Sequence, residues 1–169
     1  MKKLTLLLIF LTLTIISGCV KSKSINYYSN QKIQAPKIIA LENPRTPWVA
    51  PIIHELRKRG FKVLRWGSQH QAVQRTKMDK VNIYNEASTR YILYIDGDAY
   101  LDQMNRCFGG GFKFIYINAD LVDVETNETI ANFSDGGYSE NCPPLSGTIF
   151  NDLADTVAGA WATATDIKK

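Results

Sequence analysis

The chain is poor in the residues from which metal and nucleophile sites are built. It holds 2 histidines and 3 cysteines, and His54 and His70 stand apart from each other and from any cysteine, without the spacing a zinc site needs. Neither a metal nor another cofactor is expected. The chain has no Gly-x-Ser-x-Gly elbow, and Gly109-Gly110-Gly111 runs into a strand-like stretch rather than a helix, so it offers no helix amino terminus to a phosphate. Charge of one sign is also scarce, with a formal balance of +4 over 169 residues, which is no nucleic-acid footprint. There is no internal repeat and no heptad run, and no apolar run reaches the roughly 20 residues that a hydrocarbon core of ~30 Å demands of a spanning helix.

What the chain does have is a short export signal. Lys2 and Lys3 precede an apolar and threonine run from Leu4 to Ile16, and small residues then lead into a cysteine. The tetrapeptide Ile16-Ser17-Gly18-Cys19 resembles the lipobox of bacterial lipoproteins. That resemblance implies a diacylglycerol thioether on Cys19, removal of residues 1–18, and acylation of the new amino terminus with palmitate-class chains. Val20 follows the cysteine where an aspartate would imply retention at the inner membrane, so the resemblance implies an outer-membrane anchor with the domain facing the periplasm. Loss of Lys2 and Lys3 takes the 20 basic side chains to 18 against 16 acidic ones, and the mature chain is then long enough for one core and too short for two.

Lipidation of Cys19 leaves Cys107 and Cys142, for which an oxidising compartment favours a disulfide. Closing a loop of this length stabilises a fold by about 3–4 kcal/mol on a chain-entropy estimate. Residues 19–36, rich in Ser, Asn, Gln and Lys, lack the apolar density to fold alone and read as a lipidated flexible tether. Fully extended, such a tether reaches about 60 Å.

Residues 37–169 read as a single domain. Lys37–Leu41 reads as a buried strand, and Trp48, Ile52, Ile53 and Leu56 recur at helical spacing before Lys58-Arg59-Gly60, two cations and a glycine where a helix ends. Because Pro51 would sit badly inside a helix, regular structure is expected to begin at that residue. Phe61–Trp66 reads as a second strand, parallel to the first. Gly67–Lys80 reads as an exposed connection, with a helical turn over Val81–Ala87. Strands follow at Arg90–Ile95, Phe112–Val124 and Thr129–Phe133, the last two joined as a hairpin through a polar turn. Cys107 lies before this hairpin and Cys142 after it, so both come to the same end. The closing helix starts after Ser146 as N-cap and repeats Ile149, Leu153, Val157 and Trp161. The fold class is α+β: a mixed sheet of about five strands in the order β-α-β-β-β-β-α, with both helices on one face.

Strict alternation along the long strand puts Ile115, Ile117, Ala119 and Leu121 under the helices. Phe112, Phe114, Tyr116, Asn118 and Asp120 then face the other way, where Trp66 or Tyr94 can join them. An uncovered aromatic row of this size exceeds what a soluble monomer usually exposes, so either the Gly67–Lys80 connection folds back over it or a partner covers it, and Trp66, Phe112, Phe114 and Tyr116 are the candidate partner-binding residues. The element order and tether resemble penicillin-binding-protein activator lipoproteins, the amino-terminal domain of the Tol system's periplasmic propeller protein, and the curli-type secretion lipoprotein. The resemblance implies a non-enzymatic protein-binding or assembly module of the cell envelope, with an envelope protein or a second copy as partner and no nucleic acid. The alternative is a periplasmic hydrolase or carbohydrate-binding enzyme using Asp96, Asp98 and Asp102, the one carboxylate cluster. Glu125-Thr126-Asn127-Glu128-Thr129 resembles an acidic glycosylation sequon at an exposed turn. His54, among apolar neighbours, reads as a structural histidine.

Replacing Cys19 by Ala should leave an unprocessed precursor or a soluble product. Metabolic palmitate labelling and membrane fractionation check this, and a processed, acylated Ala variant would remove the lipobox reading.

Overall fold

A computed structural model describes residues 23–65, 73–75, 81–83, 89–99 and 106–162. Its main sheet has six strands in the order β1-β8-β7-β6-β2-β3: β1 Ser24–Tyr27, β2 Ile38–Glu42, β3 Lys62–Arg65, β6 Tyr91–Asp98, β7 Lys113–Asp123 and β8 Glu128–Tyr138. β2 is parallel to both β3 and β6, while the neighbouring pairs β6–β7, β7–β8 and β8–β1 are antiparallel. The α+β class and the mixed sheet stand as expected. A separate hairpin pairs β4 (Val73–Arg75) with β5 (Val81–Ile83). The second of these strands occupies the start of the segment expected to form a helical turn.

The first helix, α1 (Val49–Lys58), starts before Pro51. A proline is tolerated there because its missing N–H falls in the first turn, where backbone donors have no intrahelical acceptor anyway. The helix closes where the sequence indicated: Arg57 and Lys58 occupy the last turn, Gly60 takes φ +85°, and the Gly60 and Phe61 amides donate to the Arg57 and Leu56 carbonyls. The second helix, α2 (Ile149–Gly159), begins after Thr148 rather than Ser146. Ser146 Oγ instead accepts the Cys142 amide at 2.8 Å, which holds the preceding loop. Among the described residues no helix is long and apolar enough to cross a membrane.

Both helices cover the same sheet face. Trp48, Val49, Ile52 and Leu56 from the α1 region, with Ile149, Phe150, Leu153 and Val157 from α2, form one cluster with Ile39, Leu41, Leu93, Ile95, Ile117, Ala119, Leu121 and Phe133. Trp161 closes it below, its ring 5.0 Å from Phe61 and 5.3 Å from Tyr91. Arg59 ties the helices together, donating to Asn151 and Asp155 of α2 and to Glu55 of its own helix.

Two expectations fail here for identifiable reasons. The alternation along β7 is interrupted: Phe114 pairs with Gly137 but Ile117 pairs with Asp135, so β7 inserts one extra residue against β8. Such a bulge reverses the alternation beyond it. Phe112 and Phe114 therefore share the helix-facing side with Ile117, Ala119 and Leu121, and both are buried. Phe114 meets Trp48 edge-on at 5.4 Å and Phe150 at 5.9 Å. Ile115 and Tyr116, the two residues at the bulge, point outward and are exposed.

The second failure concerns the tether. Ser24–Tyr27 is the edge strand against β8, in register from Ser24 with Ser134 to Tyr27 with Ala131. The chain that follows stays attached: the Tyr28 amide donates to Ile130, and Ile33 exchanges bonds with Ala160 and Ala162. The Trp161 indole donates to the Ala35 carbonyl at 3.0 Å, and the Tyr27 hydroxyl to the Thr156 carbonyl at 2.9 Å. Low apolar density does not prevent this, because an edge strand needs only backbone partners, and all four side chains of β1 stay exposed.

Phe114→Ala should destabilise the domain by about 3–5 kcal/mol, as for other buried aromatic truncations, whereas Tyr116→Ala should have little effect. Urea melts with an unchanged slope and a shifted midpoint check both.

Candidate functional site

The helix-free face of the sheet carries a polar and aromatic surface. Cross-strand pairs set it: Tyr94 opposite Asp120, Asp96 opposite Asn118, and Asp98 opposite Tyr116. The Tyr116 hydroxyl donates to Asp96 Oδ2 at 3.0 Å. This bond to a carboxylate, reinforced by the negative charges of Asp96 and Asp98, raises the Tyr116 pKa above the ordinary phenol value. Further along, Asn132 Nδ2 donates to Asp120 Oδ1 at 2.8 Å, and Asn26 of β1 reaches Asn132 at 3.5 Å. Beside Tyr94 the surface dips into an open groove of about 420 Å³ lined by Glu42, Asn43, Tyr94, Asp96, Asn118 and Asp120. Pro44 and Ile95 also line it, so carboxylates and amides surround a largely apolar floor beside the Tyr94 ring.

The residues singled out from sequence divide sharply. Phe112 and Phe114 are core residues and not a binding surface, while Tyr116 is exposed on the face away from α1 and α2, as is Tyr94 four residues along β6 from the Asp98 that pairs with Tyr116. Trp66, Cys19, Asp102 and His70 lie outside the described residues. Asp96 and Asp98 lie on that same helix-free face, as an alternating pair on β6 rather than in a loop. His54 is exposed on α1, not enclosed by apolar neighbours. Asn127 takes φ +58° at the hairpin turn and is exposed. Among the described residues no group of three or more His, Cys, Asp or Glu is placed to hold a metal ion.

The Cys107–Cys142 disulfide is present, with Cα atoms 4.8 Å apart. Around it the two loops interlock through Gly111 N to Asn141 O, Phe112 N to Ser139 Oγ, and Ser139 N to Phe112 O. Gly109 and Gly111 permit this approach, since a Cβ at either would collide with the Asn141 or Glu140 carbonyl oxygen.

Sequence reading missed a second concavity at the opposite end of the sheet. It holds about 840 Å³ between the Tyr28–Gln34 segment and the β7–β8 turn, with Arg90, Asp123, Thr126 and Glu128 in its lining. Arg90 Nε and Nη2 donate to both oxygens of the buried Asp123 carboxylate at 2.6–2.9 Å, and Nη1 lies 2.7 Å from Glu125. The signal was thin, because Arg90 and Asp123 lie 33 residues apart and meet only through the β6–β7 register.

No family model matches this chain, and no curated protein matches it. Among solved structures it is similar to a PelC dodecamer from Paraburkholderia phytofirmans, at a TM-score of 0.43 and 13% identity over 82% of this chain and 99% of that one. It is also similar to a single-substitution PelC dodecamer from the same organism, at a TM-score of 0.39 and 15% identity over 82% and 93% of the two chains.

The Arg90 hydrogen bonds lower the Asp123 pKa below the ordinary carboxylate value, with the Glu125 amide adding to the effect. A depressed folded-state pKa gives stability that is fully present above the unfolded value, about 3.9, and is lost as pH falls through the folded value. Asp123→Asn should therefore lower stability at neutral pH and flatten its decline below about pH 4. Urea midpoints measured across that range check the sign.

Proposed function

We propose that this chain is a lipoprotein anchored in the outer membrane through Cys19, its domain facing the periplasm. There it acts as a non-enzymatic protein-binding or assembly module of the cell envelope. The lipobox-like Ile16-Ser17-Gly18-Cys19 supports the anchor. The Cys107–Cys142 bridge supports an oxidising compartment, where such bonds persist.

The observation that carries the binding reading is the placement of Ile115, Tyr116 and Tyr94 outside the core, on the side of the sheet away from both helices. Aromatic residues with a polar tip are common anchors of protein interfaces, and here they sit beside ordered hydrogen-bonding groups, Asp96, Asp120 and Asn132. The proposed partner-binding set is therefore Tyr94, Ile115 and Tyr116, in place of the buried phenylalanines. A partner protein of the envelope or a second copy of the chain fits such a surface equally in chemistry.

In-cell crosslinking followed by affinity purification tests this. The double variant Ile115→Ser with Tyr116→Ser should fold normally and lose at least tenfold in captured partner, as hot-spot truncations do at roughly 1.4 kcal/mol or more. A folded double variant that keeps every partner sinks the reading. If no partner exists and Asp96→Asn abolishes a hydrolytic activity, the enzyme alternative replaces it.

A further inference from the structure

The end of the domain that carries the disulfide is also the end from which the amino-terminal chain departs. We propose that this stapled end lies directly on the lipid surface, with Phe108 and Leu145 entering the boundary between headgroups and acyl chains beside the Cys19 anchor. The inference rests on the lipoprotein reading above.

Chain length supplies the first argument. Ser24 is opposite Ser134, and β8 continues four residues further to Tyr138, where the stapled loops begin. From Lys23 back to Cys19 the chain has four steps, a reach of about 14 Å at most. The sheet is about 36 Å long at eleven residues per strand, so the anchor cannot reach its other end. Lys23 is held at this end as well, 2.7 Å from Asp152 in the first turn of α2.

The surface at that end has the composition of a membrane contact. Phe108 occupies the second position of a tight turn closed by Gly110 N to Cys107 O at 2.8 Å, and its side chain is fully exposed, at 108%. On the facing loop Leu145 is 60% exposed and follows the exposed Pro143-Pro144 pair. The disulfide and the interlocked amides hold both tips rigidly outward, so their exposure is built into the backbone. Exposed Arg106 and Lys113 flank them, stacked over Phe112 at 5.2 Å and Tyr138 at 5.5 Å. Cations on an aromatic bed next to apolar tips match a surface of anionic headgroups over hydrocarbon. Glu140, the one acidic residue of residues 106–112 and 139–148, turns away and accepts the Phe150 and Asn151 amides at the start of α2.

The test uses the full lipidated chain in vesicles of phosphatidylethanolamine and phosphatidylglycerol, with and without brominated acyl chains. In Phe108→Trp the added emission should be blue-shifted and lose more than half its intensity to bromine, and Leu145→Trp should give the same readout from the facing loop. His54→Trp, on the exposed side of α1, should be unaffected. If neither tip is quenched in protein whose Cys19 peptide carries acyl mass, the inference fails and the lipoprotein reading survives. If the Cys19 peptide carries no acyl mass, both fail together. A blue shift that appears without vesicles and grows with protein concentration assigns the tips to a second copy and overturns the membrane contact.

Discussion

Between Phe114 and Ile117 the β7 strand takes three steps where β8 takes two, and the packing of the whole helix layer follows from that mismatch. Without it, Phe112 and Phe114, which meet Trp48 and Phe150, would lie on the opposite side of the sheet from Ile117, Ala119 and Leu121. With it, aromatic residues fill the wide end of the core near the amino termini of both helices, and aliphatic residues fill the middle. Gly137, at φ +111°, supplies the local backbone freedom on β8 that the irregular pairing uses. The same step leaves two consecutive side chains, Ile115 and Tyr116, on the outside, which a regular strand cannot do.

The second organising contact is made by the chain's amino-terminal segment. Strand β1 covers the edge of β8, and the residues after it pair with the end of α2 through Ile33 and Trp161. This moves the sheet's edge from the eleven-residue β8 to a four-residue strand, and short edge strands are one way natural sheets limit edge pairing. It also brings residues 23–35, expected from sequence to belong to a flexible tether, into the fold.

Much of the fold was legible in the sequence because its signals were local. Ile39 and Leu41, the spacing of Trp48, Ile52 and Leu56, the Lys58-Arg59-Gly60 stop and the Ile149, Leu153, Val157 row each act within a few residues. The hairpin and the disulfide were legible too, the first from its polar turn and the second from two cysteines that flank that hairpin. The bulge was not: Phe112 to Leu121 reads as one unbroken alternation, and only the pairing with Gly137 and Asp135 breaks it. The second hairpin strand, expected to end at Phe133, runs on to Tyr138 through Gly136 and Gly137, paired with β7. Strand β1 gave little sign because it is only four residues long and none of its side chains enters the core. The outward Tyr116, Asn118 and Asp120 were placed correctly, since alternation from Tyr116 onward is regular against β6, while the Arg90–Asp123 pair needed a register that no short window contains.

The direction in which β1 meets β8 determines how the molecule bears load. A chain held at its amino terminus and drawn away from that attachment pulls β1 along its own axis, and its hydrogen bonds to β8 run across that axis. All of them are strained together, in shear, instead of parting one after another as in a zipper. The Lys23–Asp152 ion pair and the Tyr27 bond to Thr156 share the same pull, passing it into α2 and the core. The first strand is therefore a mechanical coupling as well as an edge, and it resists detachment best in the direction that its own amino terminus points.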